Sequence, residues 1–207
     1  MTEQLNQMLD WLWLESVKFV PMVTAWIRYK PQNVDDYLEV FKIALYFGAV
    51  MAGIGFAQLG ANPIKVLYDR THAVAEGKFW GPLWKLVLFV FGEDYFYRGL
   101  GITGIVYLFD GNEYAILACA FLISIACGFL PPHHNLPVQT RIAVIPGVFF
   151  LSLIYLKCGG WENTWPYVNI IALAITTLVH LPPVLILTAA YEYARRKQPP
   201  NDTPRPS

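Results

Sequence analysis

The sequence has little charge. Only 14% of its 207 residues are Asp, Glu, Lys or Arg, and 56% are hydrophobic. A soluble domain carries about 25% charged residues, so the deficit argues against an ordinary water-soluble globule and for a membrane protein. Charge of one sign is also missing: 15 basic residues balance 15 acidic ones. No basic surface is left to recruit a nucleic acid, and no nucleic-acid partner is expected. The cysteines, Cys119, Cys127 and Cys158, are odd in number and lie in or beside apolar runs. That excludes a disulfide framework and zinc-finger spacing, and they read as buried thiols used as small hydrophobes. The first seventeen residues contain no Lys or Arg, and no small-residue cleavage site follows an apolar core. The expectation is insertion through retained membrane helices rather than a cleaved signal.

What the chain has instead is a series of long apolar runs. Residues 8–27 form the first, interrupted by Asp10, Glu15 and Lys18, and either span or lie in the interface. Residues 28–39 are polar and read as a loop. Residues 40–60 are the cleanest span, with Gly48, Gly53 and Gly55 offering a surface for close helix packing. Residues 61–78 form a hydrophilic connection, in which His72 is solvated. Residues 79–109 exceed one straight span, which predicts a helix, a break near Gly99–Gly104 and a second helical piece. Residues 114–130 and 141–156 are further spans, the second closed by Lys157 and a loop over 158–164. Residues 163–191 carry no charge and contain His180-Leu181-Pro182-Pro183, which predicts a long span broken by proline, or a span and a short helix. The fold class is therefore all-α: a polytopic integral membrane helical bundle of about six to eight helical segments. One membrane domain covers 1–197, and a Pro-rich disordered tail covers 198–207. All seven tryptophans fall near segment ends, as interfacial belts require. Arg195-Arg196-Lys197 puts the C-terminus in the cytoplasm by the positive-inside rule. Arg28 and Lys30 argue for a cytoplasmic first loop, and Lys65, Arg70 and Lys78 would then face outward, against that rule.

One stretch interrupts the apolar pattern with ionisable groups. Glu93, Asp94 and Arg98 sit between residues 80–90, with Lys85 as the lone charge, and residues 99–109, with none. Charges at membrane depth are costly, usually paired, turned inward and functional. In a helix Asp94 and Arg98 share a face and can pair. Glu93 is rotated about 100° away and has no cation at that spacing, leaving a spare carboxylate of the kind that general base chemistry uses. Gly99-Leu100-Gly101-Ile102-Thr103-Gly104 fits the dinucleotide-binding pattern, but without the strand and βαβ unit that reading needs.

Glu93-Asp94-x-x-x-Arg98-Gly99 resembles the first motif, E-E-x-x-x-R-G, of the CPBP family of CAAX-protease and bacteriocin-processing (Abi) intramembrane endopeptidases, with Asp94 in place of the second Glu. Phe129-x-x-x-His133 is similar to the family's second motif, F-x-x-x-H. His180-Leu181-Pro182-Pro183-Val184 stands where the third, H-x-x-x-N or H-x-x-x-D, would fall, with Val184 replacing the amide or acid. A different alignment puts that motif over residues 169–175, from Asn169 to Ile175, with no histidine. The resemblance covers about residues 80–185. It implies peptide-bond hydrolysis within a multi-pass membrane protein, of the bacterial inner membrane type, acting on a membrane-associated protein or peptide. Glu93 would activate water, His133 would hold the water or the tetrahedral intermediate, Asp94 would anchor Arg98, and His180 would line the cavity. The missing group at 184 removes an oxyanion donor of the kind worth about 3 kcal/mol in proteases. The resemblance implies either no cofactor or zinc held by Glu93, His133 and His180 with an open fourth position. Other readings of the same residues stay open. The acids and Arg98 form a structural ion-pair network, His133 caps a broken helix, or His180 bonds a carbonyl freed by Pro183. At the level of function, the alternatives are a catalytically impaired relative serving as scaffold or transporter, and a haem-binding membrane protein ligated by His133 or His134 and His180.

Overall fold

Polar side chains set where the helices begin. The computed structural model describes residues 2–60, 62, 64–66, 80–130, 138–162 and 165–197. The loop holding His72, the segment holding His133 and His134, and the tail 198–207 lie outside the described residues. Helix α1 covers Thr2–Arg28. Helix α2 covers Val34–Leu59, so it starts inside the stretch read as a loop over 28–39. The reason is local: Asn33 Oδ1 accepts from the Asp36 amide at 3.0 Å, and Asp35 and Asp36 favour the positive end of the helix dipole. Gly60, at φ 57°, ends the helix in the left-handed conformation that glycine adopts freely.

Helix α3 covers Trp80–Asp94, a wide π-helical stretch covers Tyr95–Ile102, and α4 covers Thr103–Leu108. The expected break near Gly99–Gly104 is absent, because these glycines serve packing rather than chain reversal. A Cβ at Gly99 would lie 3.0 Å from Val168, and one at Gly101 would lie 3.2 Å from Ile123. The turn at Asp110-Gly111-Asn112 follows as the sequence predicts, and Asn112 caps α5, Glu113–Phe129, by accepting from the Ala115 amide at 3.1 Å. Helix α6 covers Val138–Tyr155 and runs into a second π-helical turn, Leu156–Gly160. Asn169 then caps α7, Ile170–Lys197. Pro182 and Pro183 sit inside α7 without dividing it. The described residues hold helices and no strand, so the all-α reading stands.

Among the described residues, three helical stretches are long and apolar enough to cross a membrane: Val34–Gln58, Thr140–Gly160 and Ile170–Ala190. Helix α1 is not among them, and α5 is apolar but shorter. The core gathers Ile27, Val40, Ile102, Ile116, Ile154 and Leu173 from six elements. Within it the Tyr155 and Thr103 hydroxyls meet at 2.8 Å. Of the small residues expected to bring α2 close to a neighbour, Gly48 faces Pro183 and Gly55 faces Leu187, both on α7, whereas Gly53 faces nothing.

The helix directions separate two basic clusters. A Cβ at Gly159 would lie 2.7 Å from Asn169 and 3.4 Å from Lys30, so the starts of α2 and α7 share one end of the bundle. Val66, past the end of α2, packs with Ala189 and Ala190, so Lys65 and the end of α7 share the other. Arg28 and Lys30 therefore lie at the end of the bundle opposite the C-terminal end of α7. The former pair is also neutralised: Arg28 reaches Glu113 at 2.8 Å and Lys30 reaches Glu162 at 2.5 Å. That hydrogen bond holds the Lys30 ammonium above the usual lysine range.

Lys157, read as the charged end of a span, is 95% buried instead. Its ammonium donates to the Trp26 and Tyr29 carbonyls at the end of α1 and lies over both rings. It satisfies carbonyls that a helix end leaves open. Lys157→Met is expected to destabilise the protein by about 1.5–3 kcal/mol, the range for hydrogen bonds to charged groups. Denaturant unfolding in detergent measures the loss, and faster proteolysis near residue 30 would locate it at α1.

Candidate active site

The last two residues of α3 are Glu93 and Asp94, and Arg98 follows in the π-helical stretch. The expected Asp94–Arg98 pair is present: Arg98 Nη1 donates to Asp94 Oδ1 with both side chains fully buried. The same Nη1 lies 3.9 Å from Glu93 Oε1. Glu93 therefore has a cation beside it, contrary to the α-helical spacing argument. The cause is the wider turn, whose i→i+5 repeat brings residue 98 under residue 93 as well as residue 94. One guanidinium thus serves two carboxylates. Arg98 Nε and Nη2 have no hydrogen-bond partner among the described residues.

Helix α7 contributes His180, 86 positions from Asp94 in sequence. Its Nδ1 donates to Asp94 Oδ1 at 3.1 Å and Oδ2 at 3.2 Å. A carboxylate paired with a guanidinium accepts, so the imidazole proton sits on Nδ1. The reading in which His180 bonds a carbonyl freed by Pro183 gives way to this contact. Thr177, one turn earlier, lies beside the same carboxylate, but its hydroxyl makes no hydrogen bond of normal geometry.

Helix α5 contributes a residue that the sequence reading missed. Cys127 is fully buried, and its Sγ donates to Glu93 Oε1 at 3.5 Å. Nothing in an apolar run tells which small residue faces an acid on another helix. The one available signal is position, two residues before Phe129. Cys158 is buried beside Lys157 and fits the reading as a small hydrophobe.

Glu93, Asp94, Arg98 and His180 thus form one buried cluster, with relative exposures of 8%, 0%, 0% and 7%. His133 lies outside the described residues.

A part-open cavity of about 350 Å³ lies between α2, α3, α6 and α7, lined mostly by apolar residues such as Met51, Phe89 and Val184, with Gln58, Thr140 and Thr188 as polar members of the wall. His180 is the ionisable residue in its wall, and Val184, at the incomplete third motif, lines it too. Asn169, the alternative third-motif position, is occupied in structure: its amide donates to the Gly159 carbonyl at 3.1 Å while its oxygen caps α7.

The zinc set of Glu93, His133 and His180 fits only in part. Glu93 faces Arg98 and Cys127, and His180 commits Nδ1 to Asp94, leaving Nε2 as its metal-binding nitrogen. Among the described residues no three His, Cys, Asp or Glu side chains are grouped to hold a metal. In comparisons with protein-family models, curated proteins and solved structures, nothing matches the chain.

Proposed function

We propose that the chain is a multi-pass membrane endopeptidase, of the bacterial inner membrane type, that hydrolyses a peptide bond of a membrane-associated protein or peptide. The observation that carries this reading is the burial of Glu93, Asp94, Arg98 and His180 in one cluster, drawn from helices far apart in sequence. Burying such a cluster is costly unless it is used. Glu93 is the acid suited to take a proton from water. Asp94 is held by Arg98 and His180, whereas Glu93 has Arg98 only at 3.9 Å and the weak thiol donor of Cys127. His133, on the chain leaving Leu130, would steady the water or the tetrahedral intermediate. The family-like core is residues 80–185 within a single membrane domain over 1–197.

Membrane insertion is supported by the outer faces. Ile43, Tyr46 and Val50 of α2 are all exposed, as are Trp84 and Leu88 of α3. Such patches suit lipid and are uncommon in water. In α7, His180 comes about 15 Å after Ile170 at 1.5 Å per residue, near the middle of a hydrocarbon core about 30 Å thick. A cytoplasmic C-terminus is supported by Lys65 and Arg195-Arg196-Lys197 sharing an end, opposite the neutralised Arg28 and Lys30.

One observation favours a second reading, a non-catalytic relative serving as scaffold or transporter: the cavity wall includes His180 but not Glu93. Cleavage of a membrane-anchored reporter by the native chain and by Glu93→Gln decides between them.

A further inference from the structure

The long axis of the cavity carries an inference that rests on membrane insertion and not on Glu93 acting as a base. We propose that the cavity holds one acyl chain of a membrane lipid, drawn from the leaflet at the Lys65 end of the bundle, with the carbonyl at the head of that chain meeting Gln58, Thr140 and Thr188.

The argument starts from helix register. Gly48 of α2 faces Pro183 of α7, and Gly55 faces Leu187, so these two helices run parallel. Phe47 stacks on Phe150 of α6 with ring centroids 4.1 Å apart, and Gly147 faces Met51, so α6 runs antiparallel to both. Gln58, Thr140 and Thr188 therefore share the end of the cavity near Lys65. Ala44, Leu151 and Val179 form its inner end, level with His180. At 1.5 Å per residue, the nine steps from Val179 to Thr188 and the fourteen from Ala44 to Gln58 set the two ends about 14 to 21 Å apart. One leaflet of a hydrocarbon core about 30 Å thick is about 15 Å deep. The cavity thus runs from one end of the bundle to mid-depth, as an acyl chain does.

Its polarity follows the same order. The three uncharged hydrogen-bonding side chains stand at the outer end, and Met51, Val144, Val184 and Leu187 line the middle. Among the described residues no Asp, Glu, Lys or Arg lines the wall. An ester carbonyl can accept from the Gln58 amide or a threonine hydroxyl, and the methylenes below it need no partner. An extended peptide in the same slot would bring an N–H and a C=O at every residue. Burying those along the apolar middle without partners is costly. A charged headgroup meets the same cost and stays at the mouth.

The test places the full chain in phosphatidylcholine nanodiscs with two photoreactive phosphatidylcholines. One carries a diazirine beside the ester, the other at the end of the acyl chain, and crosslinks are mapped by mass spectrometry. The chain-end probe is expected to label Val148, Leu151 and Val179, which line the cavity and are at most 7% exposed, so a lipid on the outer surface does not reach them. The ester probe should label Gln58, Thr140 and Thr188 instead. Val184→Trp fills the middle of the slot. It should cut chain-end labelling of the three buried residues about tenfold or more, the effect of overpacking a filled space, and spare the outward-facing Tyr46 and Val50. Labelling of Tyr46 and Val50 without Val148, Leu151 and Val179 overturns the proposal and leaves membrane insertion standing. Labelling of neither set overturns both. A reversed depth order, or labelling unchanged in Val184→Trp, also overturns the proposal. Should Val184→Trp fail to fold, the two probes on the native chain still decide.

Discussion

Glu93→Gln is expected to lower cleavage of a membrane-anchored reporter by about 10²-fold or more, with little change in expression or melting temperature. Glutamine keeps the size of the side chain and an oxygen to accept from the Cys127 thiol, so the packing between α3 and α5 survives. What it loses is the capacity to take a proton. It also removes one of the two negative charges near Arg98, which leaves the guanidinium matched by Asp94 alone. The structural role of the cluster should therefore be preserved or slightly strengthened. A fall in turnover without a fall in stability is the signature of chemistry, and equal falls in both would mean that Glu93 is structural. His133→Ala should also abolish turnover, and Asp94→Asn should act mainly through stability. His180→Ala should cost less than Glu93→Gln, since Val184 leaves that part of the site without its polar partner. Activity that survives a chelator would support glutamate acting without zinc. Full activity in both Glu93→Gln and His133→Ala would remove the protease assignment and leave the scaffold reading.

Arg98→Ala is expected to destabilise the protein by about 3–5 kcal/mol, the usual effect of removing one partner from a buried ion pair. The magnitude follows from burial: Arg98 and Asp94 are both at 0% exposure, so neither charge can turn to water. Without Arg98, Asp94 keeps only His180, and Glu93 sits beside a second carboxylate with no cation. The control is Arg98→Met combined with Asp94→Asn, which removes both charges and should recover much of the loss. Thermal unfolding in detergent measures both. A melting temperature unchanged in Arg98→Ala would show that the pair contributes nothing to folding.

The Asp94–Arg98 pair was legible because it is local: four residues along a helix bring two side chains to one face whatever the rest of the chain does. The second carboxylate on Arg98 was not, because it depends on the backbone leaving α geometry after Asp94. Asp94–His180 and Glu93–Cys127 join helices across 86 and 34 positions, and periodicity within a run says nothing of which run lies opposite. The apolar runs located the helices well, since a long apolar run that is buried must satisfy its backbone groups within itself. They misjudged Gly99–Gly104 because glycine, often a helix breaker, here lets Val168 and Ile123 approach the backbone closely. Lys157 was misjudged for a related reason. A lone cation at the end of an apolar run reads as an interfacial anchor, yet here it finds its partners at the end of another helix.

The wide turn over Tyr95–Ile102 has a consequence for insertions and deletions. Such a turn holds more residues than an α-helical one over the same rise. Removing one residue after Arg98 would let the backbone return to α geometry and leave Thr103 and the residues beyond it near their present faces, because the wide turn is what absorbs the extra residue. Arg98 would keep Asp94, four positions before it, and move away from Glu93, five positions before it. The extra residue thus serves the second carboxylate, and a one-residue deletion here should be tolerated by the fold while uncoupling Glu93 from the guanidinium.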